Sequence, residues 1–490
     1  MAFVLTLLFI VTAYITPEVL FGPLAQYRVE VILAVLAVIA SVPNLLRANL
    51  SESPQTYAFL AFCVAIPLSI LSGGWVTGAA QVMYGFLPVV LCYILPAVNF
   101  RTRQHLQWMT LAMLLCSSYF IYNGLQDLHN HVVPSNFLYG DGELRRLRGL
   151  GFVYDPNDLS QVLVSLLPMV FLWRSKSWFL NLFLLGIPIA LLVTGMFYTH
   201  SRGAALALMA TLIIALRRKI GTVPAVVLAG GLFAASLAVG WSGGREVSVE
   251  AGGDRLDAWS TGITFIKQHP LFGVGAGRFA DFNEITAHNS VVVCAAELGL
   301  PGFVCWVFLM LSAMRNGIAI GQKPEAAEAG TALPPARPQP GAGRARLAAW
   351  KAGAASVNTM AFMRPMAVAA GSNAPAAAAR GFGAGFRAQL AGQPVEASKE
   401  QQDDIRRIAR LLICSLTGFL VAGWFLSRAL SMWLFFYIGT MQAVFRMAED
   451  AGMRPRKDSF GFLLRWAVIT SVVLLLLVYG VLKFRALTGR

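Results

Sequence analysis

Long apolar runs, separated by polar segments, recur from one end of the chain to the other. Most runs are roughly 17–25 residues long, the length of helix that crosses a hydrocarbon core of about 30 Å. Only helices or closed barrels satisfy every backbone group in lipid, and the runs lack the alternation of a barrel. The pattern therefore predicts an all-α, polytopic integral membrane protein with about 12 transmembrane helices. We expect them at roughly residues 2–16, 29–46, 57–73, 79–98, 106–124, 158–173, 179–197, 201–216, 222–241, 288–314, 405–423, 429–446 and 464–483.

Basic residues in the short loops predict which side of the membrane each loop faces. If the N-terminus is cytoplasmic, the inner loops carry Arg101, Arg174 and the run Arg217 to Lys219. An excess of Lys and Arg is typical of cytoplasmic loops. An odd number of spans then puts the basic tail, Lys483 to Arg490, on the outer side, which would mean that one span is miscounted.

Two segments on the predicted outer, periplasmic side are long, roughly residues 123–158 and 242–287. Both carry more charge than a simple connector needs, and loops longer than about 15 residues usually carry function or are disordered. In the second segment, Leu256, Trp259 and Ile263 follow helical spacing. This spacing predicts an amphipathic helix at the membrane surface.

Residues 321–402 differ from the rest of the chain because they are rich in Ala, Gly, Pro and Arg. Such a composition buries too little apolar area to offset the entropy lost on ordering. We predict that they form a mostly disordered cytoplasmic insertion. It separates a membrane domain, residues 1–320, from C-terminal transmembrane helices, residues 403–490.

The overall composition argues against two other classes of protein. Of the 490 residues, 57% are hydrophobic and only 13% are charged, whereas soluble proteins carry about 25% charged residues. Cytoplasmic loops explain most of the net charge of +15, and no basic cluster interleaved with aromatics indicates nucleic-acid binding. The six cysteines all fall in apolar runs, which is typical of small core residues rather than of disulfides or metal ligands.

The run His288 to Phe303 places polar groups in a segment that is otherwise apolar enough to cross the membrane. It contains His288 and Glu297, and Gly299, Pro301 and Gly302 then interrupt the helical pattern. An ionisable group at membrane depth is costly and is by default a candidate for function. A neutral imidazole, with an ordinary pKa of about 6.5, can act as a base at physiological pH. The alternative is a histidine that caps a helix and bonds to a backbone carbonyl.

Several arginines fall on the predicted outer side, against the charge bias that explains the others. Arg202 lies at the mouth of an apolar span, and Arg255 opens the predicted surface helix. The guanidinium fork pairs bidentately with phosphate oxygens, so arginines here suit a diphosphate. The alternative is that they bind lipid headgroups or pair with Asp254, Asp257 and Glu250. The full set is Arg145, Arg146, Arg148, Arg202, Arg245, Arg255 and Arg278.

Other motifs carry weaker signals. Asp155 or Asn157 precedes an apolar run and is a candidate N-cap, at a helix end that also favours anions. The glycines of Pro270 to Phe279 fit neither the P-loop nor the dinucleotide fingerprint and predict a tight re-entrant turn. His129 and His131 are too isolated for a zinc site, and no Asp-x-Asp pair offers ligands for a metal. We therefore predict a site without metal or cofactor.

Taken in order along residues 145–440, these pieces resemble the O-antigen ligase family. The family includes ligases, polymerases and protein O-oligosaccharyltransferases that use polyprenyl-diphosphate-linked glycans. Each piece is a weak signal alone, and the ordered set is a strong one. The pieces are Asp155-Pro-Asn157, Arg202 to Leu206, Arg255 with Trp259, Pro270 to Gly275, His288-Asn289 followed after nine residues by Gly299 to Phe303, and Phe425 to Arg428.

The resemblance implies a helical glycosyltransferase of the GT-C type that works on the periplasmic face without metal. In this family, the histidine that matches His288 is thought to activate the acceptor hydroxyl. The arginines that match Arg202 and Arg255 are thought to bind the donor diphosphate. The insertion at 321–402 is the one departure from the family pattern. Further candidates for the site are Arg148, Asn157, Asn289, Glu297 and Arg428.

We therefore predict an inverting transferase of the bacterial inner membrane, with an O-antigen ligase that acts on the lipid A core in lipopolysaccharide assembly as first choice. A polymerase of O-antigen or exopolysaccharide repeat units is a close second, because the motifs are shared. A transporter of the same lipid-linked glycan could bind the diphosphate equally well. Alternating access usually shows as two similar halves, however, and the chain has no evident internal repeat.

Overall fold

The computed structural model describes residues 1–48, 50, 53–140, 142, 144–243, 249–322 and 399–488. The predicted insertion therefore lies outside the described residues from 323 to 398. Short 3-10 segments lie at Gly22–Tyr27, Gly151–Val153 and Phe171–Trp173, and a π-turn at Leu182–Gly186. The strands β1 (Leu138–Tyr139) and β2 (Arg146–Leu147) form an antiparallel pair. The α-helices are α1 (Ala2–Ile15), α2 (Pro17–Leu20), α3 (Val29–Arg47), α4 (Pro54–Leu71), α5 (Val76–Asn99), α6 (Arg103–His129), α7 (Pro156–Val170), α8 (Trp178–Asn181), α9 (Ile187–Tyr198), α10 (Arg202–Ile220), α11 (Thr222–Ala238), α12 (Val249–Gln268), α13 (Phe279–Phe282), α14 (Ser290–Gly321), α15 (Lys399–Gly423), α16 (Met432–Asp450) and α17 (Phe460–Thr488).

Six helical segments among the described residues are long and apolar enough to cross a membrane: α3, α4, α5, Trp178–Tyr198, α14 and α17. Helices α1 and α11 are apolar but shorter. The remaining predicted spans coincide with helices α6, α7, α10, α15 and α16. The prediction of an all-α, multi-pass membrane protein is confirmed. The count of about 12 spans and the GT-C type stay predictions.

Several predicted boundaries shift. Helix α6 continues to His129, so the first long outer segment begins later than residue 123. Helix α15 begins at Lys399, inside the range predicted for the insertion. The helix predicted in the second outer segment is present as α12, which buries Trp259 and Ala258. Its position at the membrane surface stays a prediction.

Helix α14 lies at the centre of the described bundle and packs against α4, α12, α15, α16 and α17. Helix α16 is buried on all sides and contributes large side chains such as Trp433 and Phe435 to the core. A helix that is apolar all round must be surrounded by others or by lipid. By contrast, α3 and α17 expose apolar residues such as Ile39 and Leu476. Such outward faces are expected where a helix borders lipid.

The end of α17 lies beside α12. Arg485 donates to a carboxylate oxygen of Asp257 at 2.6 Å and to the carbonyl of Gly253 at 3.3 Å. The basic tail is therefore at the α12 end of the bundle, which is where an odd number of spans puts it. The number of spans itself stays a prediction.

The break predicted in α14 is present at Gly299, whose backbone has φ 68° and ψ −179°. The glycine-rich turn at 270–277 packs its backbone directly against this break. A Cβ atom at Gly299 would lie 2.5 Å from the backbone of Leu271, and one at Gly273 would lie 2.4 Å from the backbone of Glu297. Only glycine permits this approach, and the predicted tight turn is confirmed. Backbone hydrogen bonds join the two segments from Val274 to Ala296 (2.9 Å), from Gly275 to Glu297 (3.0 Å) and from Leu300 to Pro270 (2.8 Å).

Candidate functional site

Three residues predicted to carry the chemistry come from separate segments and meet at one end of the bundle. Arg202 is the first residue of α10, Arg255 lies in α12, and His288 precedes α14 by two residues. The charge of Arg255 interacts electrostatically with both Arg202 and His288. The fold therefore brings together residues that are 86 positions apart at their extremes, Arg202 and His288. We call this end of the bundle the site end.

The backbone at His288 is held in an unusual conformation. Its φ of 47° lies in the left-handed region, which costs a non-glycine residue roughly 1–2 kcal/mol. The preceding carbonyl, that of Ala287, accepts a hydrogen bond of 2.8 Å from the indole N–H of Trp259. The following residue, Asn289, accepts from the backbone N–H of Val291 at 2.9 Å and so caps α14. These neighbours fix the direction in which the imidazole leaves the chain.

A second set of contacts joins the His288 segment to the loop between α15 and α16. The hydroxyl of Ser290 donates to the carbonyl of Leu426 at 2.6 Å and accepts from the backbone N–H of Arg428 at 3.1 Å. The hydroxyls of Thr286 and Ser427 are 2.8 Å apart. A cavity of about 220 Å³ lies next to this pair. The loop after α15 thus forms one wall beside His288.

The surroundings of His288 lower the pKa of its imidazole. Partial burial is the largest cause, and the positive charges of Arg255 and Arg428 act in the same direction. The carboxylate of Asp155 opposes them. A lowered pKa keeps the ring neutral at physiological pH, so that it can accept a proton.

Arg202 and Arg255 lie close together, and none of the described carboxylates pairs with either of them. Burial lowers the pKa of the Arg255 guanidinium first, the charge of Arg202 lowers it further, and Asp155 raises it. The structure gives neither arginine a hydrogen bond or ion pair to another described side chain. Asp257, a predicted alternative partner, bonds to Arg485 instead. Two like charges in a partly buried setting favour an anionic ligand between them.

Arg202 is placed by the start of its helix. The hydroxyl of Ser201 accepts from the backbone N–H of Ala204 at 3.3 Å and caps α10. The carbonyl of Ser201 accepts from the indole N–H of Trp241 at 3.1 Å. A helix N-terminus carries a partial positive charge and free N–H groups, so the backbone reinforces the attraction for an anion.

Arg428 lies near His288 and has its guanidinium committed to a carboxylate. Its Nε donates to one oxygen of Asp158 at 2.7 Å, and Nη2 donates to the other. Asp158 is buried in the first turn of α7. The pair joins the loop after α15 to α7. Arg428 therefore contributes positive charge and wall structure at the site end.

In the segment that contains β1 and β2, the predicted site residue Arg148 has a structural role, and Arg146 contacts Asn157 instead. Arg148 donates to the carbonyls of Ser135 (2.9 Å) and Asn136 (3.2 Å) and stacks on Tyr154, so it holds its own loop together. Arg146, which was not chosen as a site residue, is the one that reaches Asn157. Its Nη2 donates to the Asn157 side-chain oxygen at 3.0 Å.

Asn289 and Glu297 have structural partners. The side-chain oxygen of Asn289 caps α14, while its buried amide nitrogen has no partner among the described residues. The carboxylate of Glu297 accepts from the backbone N–H of Gly277 at 2.9 Å and of Phe279 at 3.1 Å. Glu297 thus fastens the glycine-rich turn to the break in α14. A role for either residue in binding substrate stays a prediction.

Sequence reasoning missed contributors that act through other residues. Asp158 and Ser290 were not singled out, and Arg146 was named only as one of the outer arginines. Each of the three organises a predicted site residue. Asp158 is three positions after Asp155, on the same face of the first turn of α7. This spacing is the feature of the sequence that could have identified Asp158 as a second acidic residue facing the site.

The comparisons with known proteins bear on this site directly. Residues 187–307 match the family model described as O-antigen ligase. The matched segment contains Arg202, Arg255 and His288, whereas Arg428 lies beyond it. No curated protein matches the chain. Over residues 187–307 the chain is therefore similar to the O-antigen ligase family.

Proposed function

We propose that the protein transfers a glycan from a polyprenyl-diphosphate donor to an acceptor hydroxyl on the periplasmic face of the bacterial inner membrane. We take O-antigen ligation onto the lipid A core as its reaction. The observation that carries the proposal is that the fold brings His288 together with two arginines that have no carboxylate partner among the described side chains. The family match, which covers these residues, supports O-antigen ligase or polymerase chemistry in general.

In the proposed reaction, Arg202 and Arg255 bind the diphosphate of the donor. The two guanidinium forks and the N-terminus of α10 neutralise the charge that develops as the leaving group departs. This electrostatic assistance acts on the bond between the anomeric carbon and the phosphate oxygen. The negative charge of the bound diphosphate also offsets the repulsion between the two arginines.

His288 acts as the general base. Its imidazole takes the proton from the acceptor hydroxyl while the acceptor oxygen attacks the anomeric carbon. The bond to the phosphate oxygen breaks, and its electron pair leaves with the polyprenyl diphosphate. Attack on the face opposite the leaving group inverts the anomeric configuration. The Ala287–Asn289 backbone, held by Trp259 and the α14 cap, sets the position of the ring.

The test is transfer by purified protein from a lipid-diphosphate-linked glycan to a lipid A core acceptor. We expect His288→Ala to lower the rate by roughly 10²–10⁴-fold, the usual contribution of a general base. His129→Ala removes an exposed histidine from the end of α6 and serves as the matched control. Full activity of His288→Ala would refute the role of the base. Elongation of the donor glycan, with no product on the acceptor, would reassign the protein as a polymerase.

A further inference from the structure

A polar cavity of about 260 Å³ lies at the end of the bundle opposite the site end. Its walls come from the ends of α3, α5 and α16, the start of α4 and the second half of α14. Ser312 and Asn316 of α14 line it, and about 33 Å of helix separates Ser312 from the start of α14. The cavity is therefore distinct from the candidate site. None of the residues discussed for glycan transfer lines it.

The charges around this cavity do not balance. Two of its carboxylates are committed elsewhere: Glu449 lies 2.6 Å from the ammonium of Lys457, and Asp458 accepts two hydrogen bonds, of 2.6 and 3.0 Å, from Arg315. The lining arginines are Arg47, Arg101 and Arg446, and among the described lining residues the one carboxylate that remains for them is that of Asp450. The described part of the wall thus has an excess of positive charge.

Arg446 is the most enclosed of the lining arginines. Its guanidinium donates to the carbonyls of Ala48 and Ala97, at the ends of α3 and α5. Its Nε is buried and has no partner among the described residues. The charges of Arg101 and Asp450 both act on it. One strong donor of a cavity-lining side chain is therefore left without a protein partner among the described residues.

A purely structural explanation accounts for only part of this arrangement. Cations are stabilising at helix C-termini, and Arg446 together with Arg101 bonds to the last carbonyls of α3 and α5. Capping explains neither the unpaired Nε nor the additional charge of Arg47. Neutral polar side chains, including Gln442 and Asn316, complete the wall. Such a mixture of cations and amides suits an oxyanion rather than an apolar guest.

We propose that this cavity binds a phosphate-bearing anion, with Arg47, Arg101 and Arg446 as its cationic contacts. Helices α3 and α5 are both long and apolar enough to span the membrane, and the cavity lies where they end. That is the depth of phospholipid headgroups. The same three arginines would equally hold a free phosphate from solution. Both sources offer the same chemistry, and the experiment separates them.

The first arm titrates inorganic phosphate into the full-length protein in nanodiscs of phosphatidylcholine, with calorimetry as the readout. The second arm measures by native mass spectrometry how much phosphatidylglycerol the protein retains from mixed nanodiscs. Variants Arg446→Gln and Arg47→Gln each remove one cation from the wall. Arg218→Gln removes an exposed arginine at the same end of the bundle, outside the cavity, and is the matched control.

We expect Arg446→Gln and Arg47→Gln to weaken binding by about 10-fold or more, the loss of one charge-assisted contact, while Arg218→Gln leaves it unchanged. Phosphate binding in phosphatidylcholine identifies a soluble ligand, and retention of phosphatidylglycerol alone identifies a headgroup. Absence of binding in both arms would overturn the proposal. So would an equal loss in Arg218→Gln, or wild-type binding by Arg47→Gln, whose exposed position makes misfolding an implausible cause.

Discussion

Two groups of arginines, one at each end of the bundle, differ in how they are paired. At the end opposite the candidate site, Arg103 pairs with Asp404 at 3.0 Å, Arg406 with Asp403 at 2.8 Å, and Arg315 with Asp458 at 2.6 Å. At the site end, Arg202 and Arg255 lie close together and have no ion pair with another described side chain. The arginines of the first group are thus held in ion pairs, whereas Arg202 and Arg255 have no such carboxylate among the described residues.

The difference shows that the free energy of folding is not optimised at Arg202 and Arg255. A pair of like charges held close together costs stability that neighbouring carboxylates could offset, as they do for Arg103, Arg315 and Arg406. Fold stability alone does not explain why none of the described carboxylates pairs with Arg202 or Arg255. A bound diphosphate would supply the missing negative charge. The comparison therefore predicts large effects on activity at the site end and small effects on stability at the other.

The largest effect is expected from Arg202→Lys. Lysine keeps the charge but cannot reproduce the planar fork, so we expect the rate of glycan transfer to fall by about 10²–10³-fold. The matched change at the opposite end is Arg103→Lys, which weakens a partly exposed pair with Asp404. It should cost less than about 1 kcal/mol of stability and leave transfer unchanged. Equal rates for the two variants would erase the contrast between the ends.

A smaller, structural effect is expected where the glycine-rich turn meets α14. Gly299→Ala introduces a Cβ into left-handed backbone and against the backbone of Leu271, at a cost of about 2–4 kcal/mol. Thermal unfolding of the detergent-solubilised protein should show a clearly lowered midpoint. Gly230→Ala in α11 meets nothing within 4 Å and should leave the midpoint close to that of wild type. An unchanged midpoint for Gly299→Ala would show that the turn does not pack on α14 in this way.

Most of the helical architecture could be predicted because it depends on local signals. Runs of apolar residues long enough to span lipid indicate α3, α5 and α17 without any tertiary information. Likewise, Gly299 and Pro301 marked the break in α14. The exact ends could not be predicted in this way. Helix α6, for example, continues to His129 through polar residues whose helical state depends on packing against the β1–β2 segment.

The site could be predicted only as far as residue type carried the signal. His288, Arg202 and Arg255 stood out as polar groups beside apolar spans, and the fold brings them together. The choice between Arg146 and Arg148 could not be made from the sequence. It depends on which of the two side chains faces Asn157 at the start of α7, and their spacing in the sequence does not determine this. Partnerships such as Arg428 with Asp158 join positions 270 residues apart and appear only in three dimensions.

The most subtle expected effect is a pair of opposite shifts in the pH dependence of transfer. The base form of His288 is required, so kcat/KM should fall as the pH drops through the pKa of this histidine, which burial and then Arg255 hold below its ordinary value. Asp155→Asn removes the carboxylate that raises this pKa, so the acidic limb should move to lower pH. Asparagine still caps α7, so the helix start is kept. Arg255→Gln removes a charge that lowers the pKa, and its weak residual activity should show the acidic limb at higher pH.

Profiles of kcat/KM against pH for wild type and the two variants provide the measurement. A common shift of both variants in one direction would indicate a change in the fold around the site rather than in its charges. Acidic limbs that coincide in all three proteins would mean that the titrating group is not His288. Opposite shifts would place the base between Arg255 and Asp155. The charge of Arg255 would then act on catalysis through the pKa of His288, whereas Arg103 and Arg315 act through ion pairs that join separate segments of the chain.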